Sequence, residues 1–161
     1  MNTSESISIK FMTSYIPTTG DIYKLKNSRL CVVGNSVVLD SLTLYTILPV
    51  SSAIYMASEK DFIIVEETIF KKQSVMVESW NSLAVPIEFF DSSKLKGRLS
   101  DKYVRYLSSY LYFAMQNRKN TNLSILTGPP LNSSSDIRWL FRQMEIKEFH
   151  ALRKTLVSVS E

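Results

Sequence analysis

A single histidine, His150, and a single cysteine, Cys31, limit the acid–base and nucleophilic chemistry open to this chain. One imidazole cannot supply the paired proton transfers of a two-histidine ribonuclease within one chain. His150 lies on an apolar-leaning helical stretch, where packing or exposure reads better than catalysis. Cys31 lies in Leu30-Cys31-Val32-Val33, the pattern of a buried strand, in which a thiol is inert packing. No Cys/His cluster has zinc spacing, and no glycine-rich loop cradles a phosphate. Gly34-Asn35-Ser36 does not continue into a nucleophile elbow. The acids Glu59, Asp61, Glu66 and Glu67 alternate with β-type residues, as on an exposed strand or hairpin edge. What remains is positive charge. Lys94, Lys96, Arg98, Lys102, Arg105, Arg118 and Lys119 stand against the single acid Asp101. Such a surface attracts phosphates, although a solvated helix face gives the same pattern.

The elements that would position these groups change character near residue 100. From Gly20 onward, short runs rich in Val, Ile, Leu, Tyr and Phe predict strands at Asp21–Leu25, Leu30–Gly34, Leu42–Val50, Phe62–Val65, Val75–Ser79 and Ala84–Glu88. Strands so short and close, with no helices between them, indicate an antiparallel barrel or sandwich. With only 4 glycines, most turns must be built from Asn, Ser and Asp. Ser100-Asp101 is a candidate N-cap and first-turn acid for an amphipathic helix reaching about Asn117, with Tyr103, Leu107, Tyr110, Leu111 and Ala114 on one face. The Tyr stripe reads as core packing. Gly128-Pro129-Pro130 breaks the chain. After Asp136 the apolar pattern resumes at Ile137, Leu140, Phe141 and Met144. It continues out of phase at Ile146, Phe149, Leu152 and Leu156, which predicts a kink or a helix pair around Glu145.

The chain of 161 residues is therefore expected to be α+β, with one real core. A small antiparallel β-barrel and its helix would occupy residues 1–119, and a helical extension, residues 120–161, would pack on or beside them. Met1 to Ser14 reads as a loose polar arm with strand character around Ile7 to Met12. No stretch approaches the roughly 20 apolar residues of a membrane span. Met1 to Lys10 lacks the basic and apolar regions of a secretory signal. The lone cysteine fits a reducing, cytoplasmic compartment.

The order of these pieces resembles the MazF/PemK/Kid toxin superfamily, which includes CcdB-like proteins. Gly20-Asp21-Ile22-Tyr23 opens the barrel, and Arg29 heads the second strand. A third strand from Tyr45 ends at Ser51-Ser52, and Gly97-Arg98-Leu99-Ser100 leads into the main helix. The resemblance covers about Thr19 to Met115. The family's Gln-Ile-Arg-Thr-Ile-Asp segment stands here as Trp80-Asn81-Ser82-Leu83-Ala84-Val85, and the link between the first two strands is short, about Lys26 to Ser28.

This resemblance implies a homodimeric, metal-independent endoribonuclease with no cofactor. In such enzymes the RNA 2′-hydroxyl attacks its own phosphorus and leaves a cyclic phosphate. The family's arginine falls on Arg29 and its threonine on Ser51, with Ser52 as the neighbour one register away. Arg29 would clamp a phosphate and Ser51 would donate to a non-bridging oxygen. Lys24, Lys26, Lys94, Lys96 and Arg98 are the candidate RNA contacts. The resemblance also implies an antitoxin partner, whose place across the groove Ser133 to Val157 would take in cis; alternatively, the tail covers a barrel edge or extends the dimer interface. The alternative function is a non-catalytic binding or inhibitory module on the same fold, as in the gyrase-poisoning branch.

Overall fold

The computed structural model describes residues 15–116 and 126–157. The expected N-terminal arm, and Arg118 and Lys119 of the basic run, lie outside the described residues. Seven strands, β1 (Asp21–Lys24), β2 (Leu30–Leu39), β3 (Leu42–Ser51), β4 (Asp61–Ile64), β5 (Val75–Glu78), β6 (Leu83–Pro86) and β7 (Leu95–Arg98), precede two helices, α1 (Asp101–Met115) and α2 (Ile137–Val157). The fold is α+β, and every strand pairing is antiparallel.

The strands run in the order β4-β5-β3-β2-β1-β7, with β6 also on β3. Among the described residues the two ends of this path do not pair, so the sheet is not closed and the expected small barrel is not shown. β3 divides its partners: its middle, Leu44–Ile47, pairs with β6, whereas Val50 and Ser51 pair with β5, and β4 and β5 pack into the same core as β1 and β2. The outer edge of β4 is occupied by the chain after residue 125: Ile63 N–H donates to the Leu126 carbonyl at 2.8 Å and Phe62 bridges to Thr127.

Alternate residues of each central strand enter different cores, as the two-residue strand period requires. Ile22, Val32, Leu48, Val50 and Val77 join Tyr103 and Leu107 of α1 on one face. Tyr23, Cys31, Val33, Ile47 and Val85 join Phe149 on the other, with Leu152 packed against them. A sheet covered on both faces explains the near-continuous apolar runs. Phe149 is 0% exposed, so α2 completes the second core.

α2 is one continuous helix rather than the helix pair expected around Glu145. The phase change misled because Ile137, Leu140, Met144 and Ile146 are exposed while Phe149 points inward. β7 has no counterpart among the expected strands; it forms on β1, with Asp21 paired to Arg98 and Ile22 to Gly97. Gly97 has φ +150°, and a Cβ there would lie 2.9 Å from Ile69 Cδ1, which only glycine avoids. Ser100 does precede α1, but its hydroxyl contacts the Glu67 carboxylate. β2 and β3 form a long hairpin whose turn, Asp40-Ser41, has φ +48° and +72°.

Candidate functional site

The turn between β1 and β2 places Arg29. Ser28, at φ +67°, donates its N–H to the Leu25 carbonyl at 2.9 Å, and Leu25 N–H donates to the Arg29 carbonyl at 2.7 Å. Asn27 Oδ1 accepts the Arg29 N–H at 3.1 Å, the local side-chain bond that makes Asn a turn residue. The guanidinium then folds inward, and its side chain is 13% exposed. Nε donates to the Val50 carbonyl at 3.2 Å, and Nη2 donates to Glu78 Oε1 at 3.0 Å. Nη2 also meets Glu145 Oε2 in an ion pair.

Arg29, Ser51 and Ser52 line one open cleft of about 380 Å³ together with Asn27, Ser28 and Val50. Glu145 and Glu148, one helical turn apart on α2, form its acidic wall. Ser51 Oγ accepts the Ala53 N–H at 3.2 Å, which leaves its hydroxyl proton to donate elsewhere. The arrangement is a guanidinium and two hydroxyls facing a carboxylate wall. It can hold an anion, donate hydrogen bonds to it and accept a proton beside it.

Glu78 is the buried member of the group, with 0% exposure. Asn81 Nδ2 donates to its Oε2 at 3.1 Å. Desolvation, helped by a hydrogen bond with the Glu145 carboxyl, pushes its pKa up to about 8, and Arg29 and Asn81 offset only part of this.

Neither Glu78 nor Glu145 is among the sequence candidates. Glu78 carries a signal, because an acid closing the apolar run Val75-Met76-Val77 must find a partner if the strand is buried. Glu145 carries none, since its role depends on where α2 packs. The acids expected on an exposed edge divide: Glu59 and Glu66 are exposed, but Asp61 is buried. Asp61 accepts from Ser58 N–H and Oγ at 2.7 Å each and from Trp80 Nε1 at 2.8 Å. Arg142 of α2 stacks 4.9 Å from the Trp80 ring and contacts Ser58, so Asp61 serves to anchor α2.

The candidate RNA contacts do not share the Arg29 cleft. Lys24, Lys26 and Lys94 border a second hollow of about 130 Å³, with Tyr23 and Phe89 in its wall. Lys24 to Lys26 and Asn27 to Arg29 are consecutive, so the β1–β2 turn borders both depressions. Lys96 is exposed on β7, and Arg98 pairs with buried Asp21 at 3.4 Å. His150 is exposed on α2, and Cys31 is fully buried, its thiol pushed up to about 12 by desolvation. Among the described residues no cluster of three or more His, Cys, Asp or Glu is placed to hold a metal ion, and no helix is long and apolar enough to cross a membrane. Compared with models of known families and with curated proteins, the chain gives no significant match.

Proposed function

We propose that this chain is a toxin-like, metal-independent endoribonuclease that cleaves single-stranded RNA by attack of a 2′-hydroxyl on the adjacent phosphorus, as its resemblance to MazF/PemK/Kid proteins implies. The observation that supports this reading is the convergence of Arg29, Ser51 and Ser52, from separate stretches of chain, on one open polar cleft. In this mechanism the Arg29 guanidinium binds a non-bridging phosphate oxygen, and the Ser51 hydroxyl donates to the same group. Both stabilise the charge that builds on the phosphorane. Homodimerisation and control by an antitoxin belong to the same reading.

One observation favours the alternative, a non-catalytic binding module: Glu145 already occupies the guanidinium that a phosphate would need. The test is cleavage of a long single-stranded RNA in EDTA by the full-length protein. Deleting α2 would not serve, because Phe149 belongs to the second core. Products ending in a cyclic phosphate, lost in Ser51→Ala and sharply reduced in Arg29→Lys, support the ribonuclease. Lysine keeps the charge but not the planar fork. RNA bound but uncut supports the binding module.

A further inference from the structure

Transphosphorylation needs a group to take the proton of the attacking hydroxyl, and neither Arg29 nor the serines supply one at neutral pH. The single histidine is exposed on α2 and does not line the cleft. The carboxylates of the cleft wall therefore decide the matter. Glu145 and Glu148 both line it. Of the two, Glu145 is the one paired with the Arg29 guanidinium, which buried Glu78 also holds.

Resting on the ribonuclease reading, we propose that Glu145 is the proton acceptor of the cleft and that Glu78 is the positioning residue that, by gripping the same Arg29 nitrogen, holds it in place. Buried Glu78 accepts from Arg29 Nη2 at 3.0 Å and from Asn81 at 3.1 Å, which fixes from behind the guanidinium that faces Glu145. The proton of the 2′-hydroxyl passes to a Glu145 carboxylate oxygen as the 2′-oxygen to phosphorus bond forms. The bond from phosphorus to the 5′-oxygen breaks, and that oxygen takes its proton from a water molecule in the open cleft. Glu145 afterwards returns its proton to solvent, so no net proton is consumed. The charged and polar groups facing the pair are Arg29 from the β1–β2 turn, Asn81 after β5, and Glu148 on α2.

The test uses the full-length protein and a single-stranded RNA oligonucleotide, with a fully 2′-deoxy copy as the substrate that cannot be cut. Glu145→Gln is expected to lower kcat by about 10²–10⁴-fold, the usual contribution of a general base, with KM changed only a few-fold. The acidic limb of the pH profile should disappear with it. Glu145→Ala should be partly rescued by added formate, which a purely structural role would not allow. Glu78→Gln weakens the grip on Arg29 and should shift the acidic limb of the profile, a readout that a purely structural role would not move. Wild-type rates in Glu145→Gln, or a loss that appears in KM and thermal stability without formate rescue, would overturn the assignment and leave the ribonuclease standing. A wild-type protein that never cleaves the RNA would remove the ribonuclease reading itself.

Discussion

The Glu78 pKa is raised because β5 carries it into the interior, where an ionised carboxyl loses its hydration and Arg29 and Asn81 recover only part of that loss. In the unfolded chain the same carboxyl ionises near 4.5, and in the folded chain near about 8. Between those values the folded state binds more protons, so the unfolding free energy falls as pH rises through this window and levels above it. Urea unfolding of the wild type at pH 5, 7 and 9 should show a loss on the order of a few kcal/mol. Glu78→Gln should flatten that slope; an equally steep slope in the variant would place the titrating group elsewhere. How much of this was legible in the sequence differs between the partners. Glu78 stands out as an acid at the end of an apolar strand, and Arg29 as the cation heading another. Glu145 looks like any polar position on a surface helix, since only the packing of α2 brings it to Arg29.

At the scale of elements, the strands follow from alternation and turn residues, and the misreadings have identifiable causes. β7 is four residues of Leu-Lys-Gly-Arg, with little β propensity of its own. It forms because β1 offers an edge and Gly97 lets the chain pass close to Ile69. α2 carries more apolar residues than it buries, so counting them could not find its inner face. Phe149→Ala should cost about 3–5 kcal/mol, whereas Leu140→Gln, on the exposed side, should change stability by no more than about 0.5 kcal/mol. Comparing the two by thermal denaturation checks which face of α2 is seated. The hairpin turn offers a second test. Asp40 and Ser41 both adopt positive φ, the two-residue turn for which Asn-Gly is the preferred pair. Replacing them together by Asn and Gly should stabilise the chain by about 1 kcal/mol, read as a shift in the urea midpoint with no change in slope.

At the scale of the molecule, Lys24, Lys26 and Lys94 meet around one hollow beside the β1–β2 turn. If Lys24, Lys26 and Lys94 meet the phosphates of a single strand, changing all three to Gln should lessen the dependence of log affinity on log salt by roughly 2. A slope that does not move would place the RNA path elsewhere. The open sheet was not legible in the sequence. Six of the seven strands are recognisable one by one, but nothing local states that β3 divides its partners between β6 and β5.

That division of labour between the two ends of the chain has a consequence for biosynthesis. A polypeptide leaves the ribosome N-terminus first, and its domains fold as their residues emerge. Here the strands, Arg29 and Ser51 are all translated before α2, which brings both Phe149 to seal the second core and Glu145 to face the guanidinium. A nascent chain halted before Glu145 holds an unsealed apolar sheet face and a cleft without its acidic wall. Completion of the cleft thus waits until α2 has been translated.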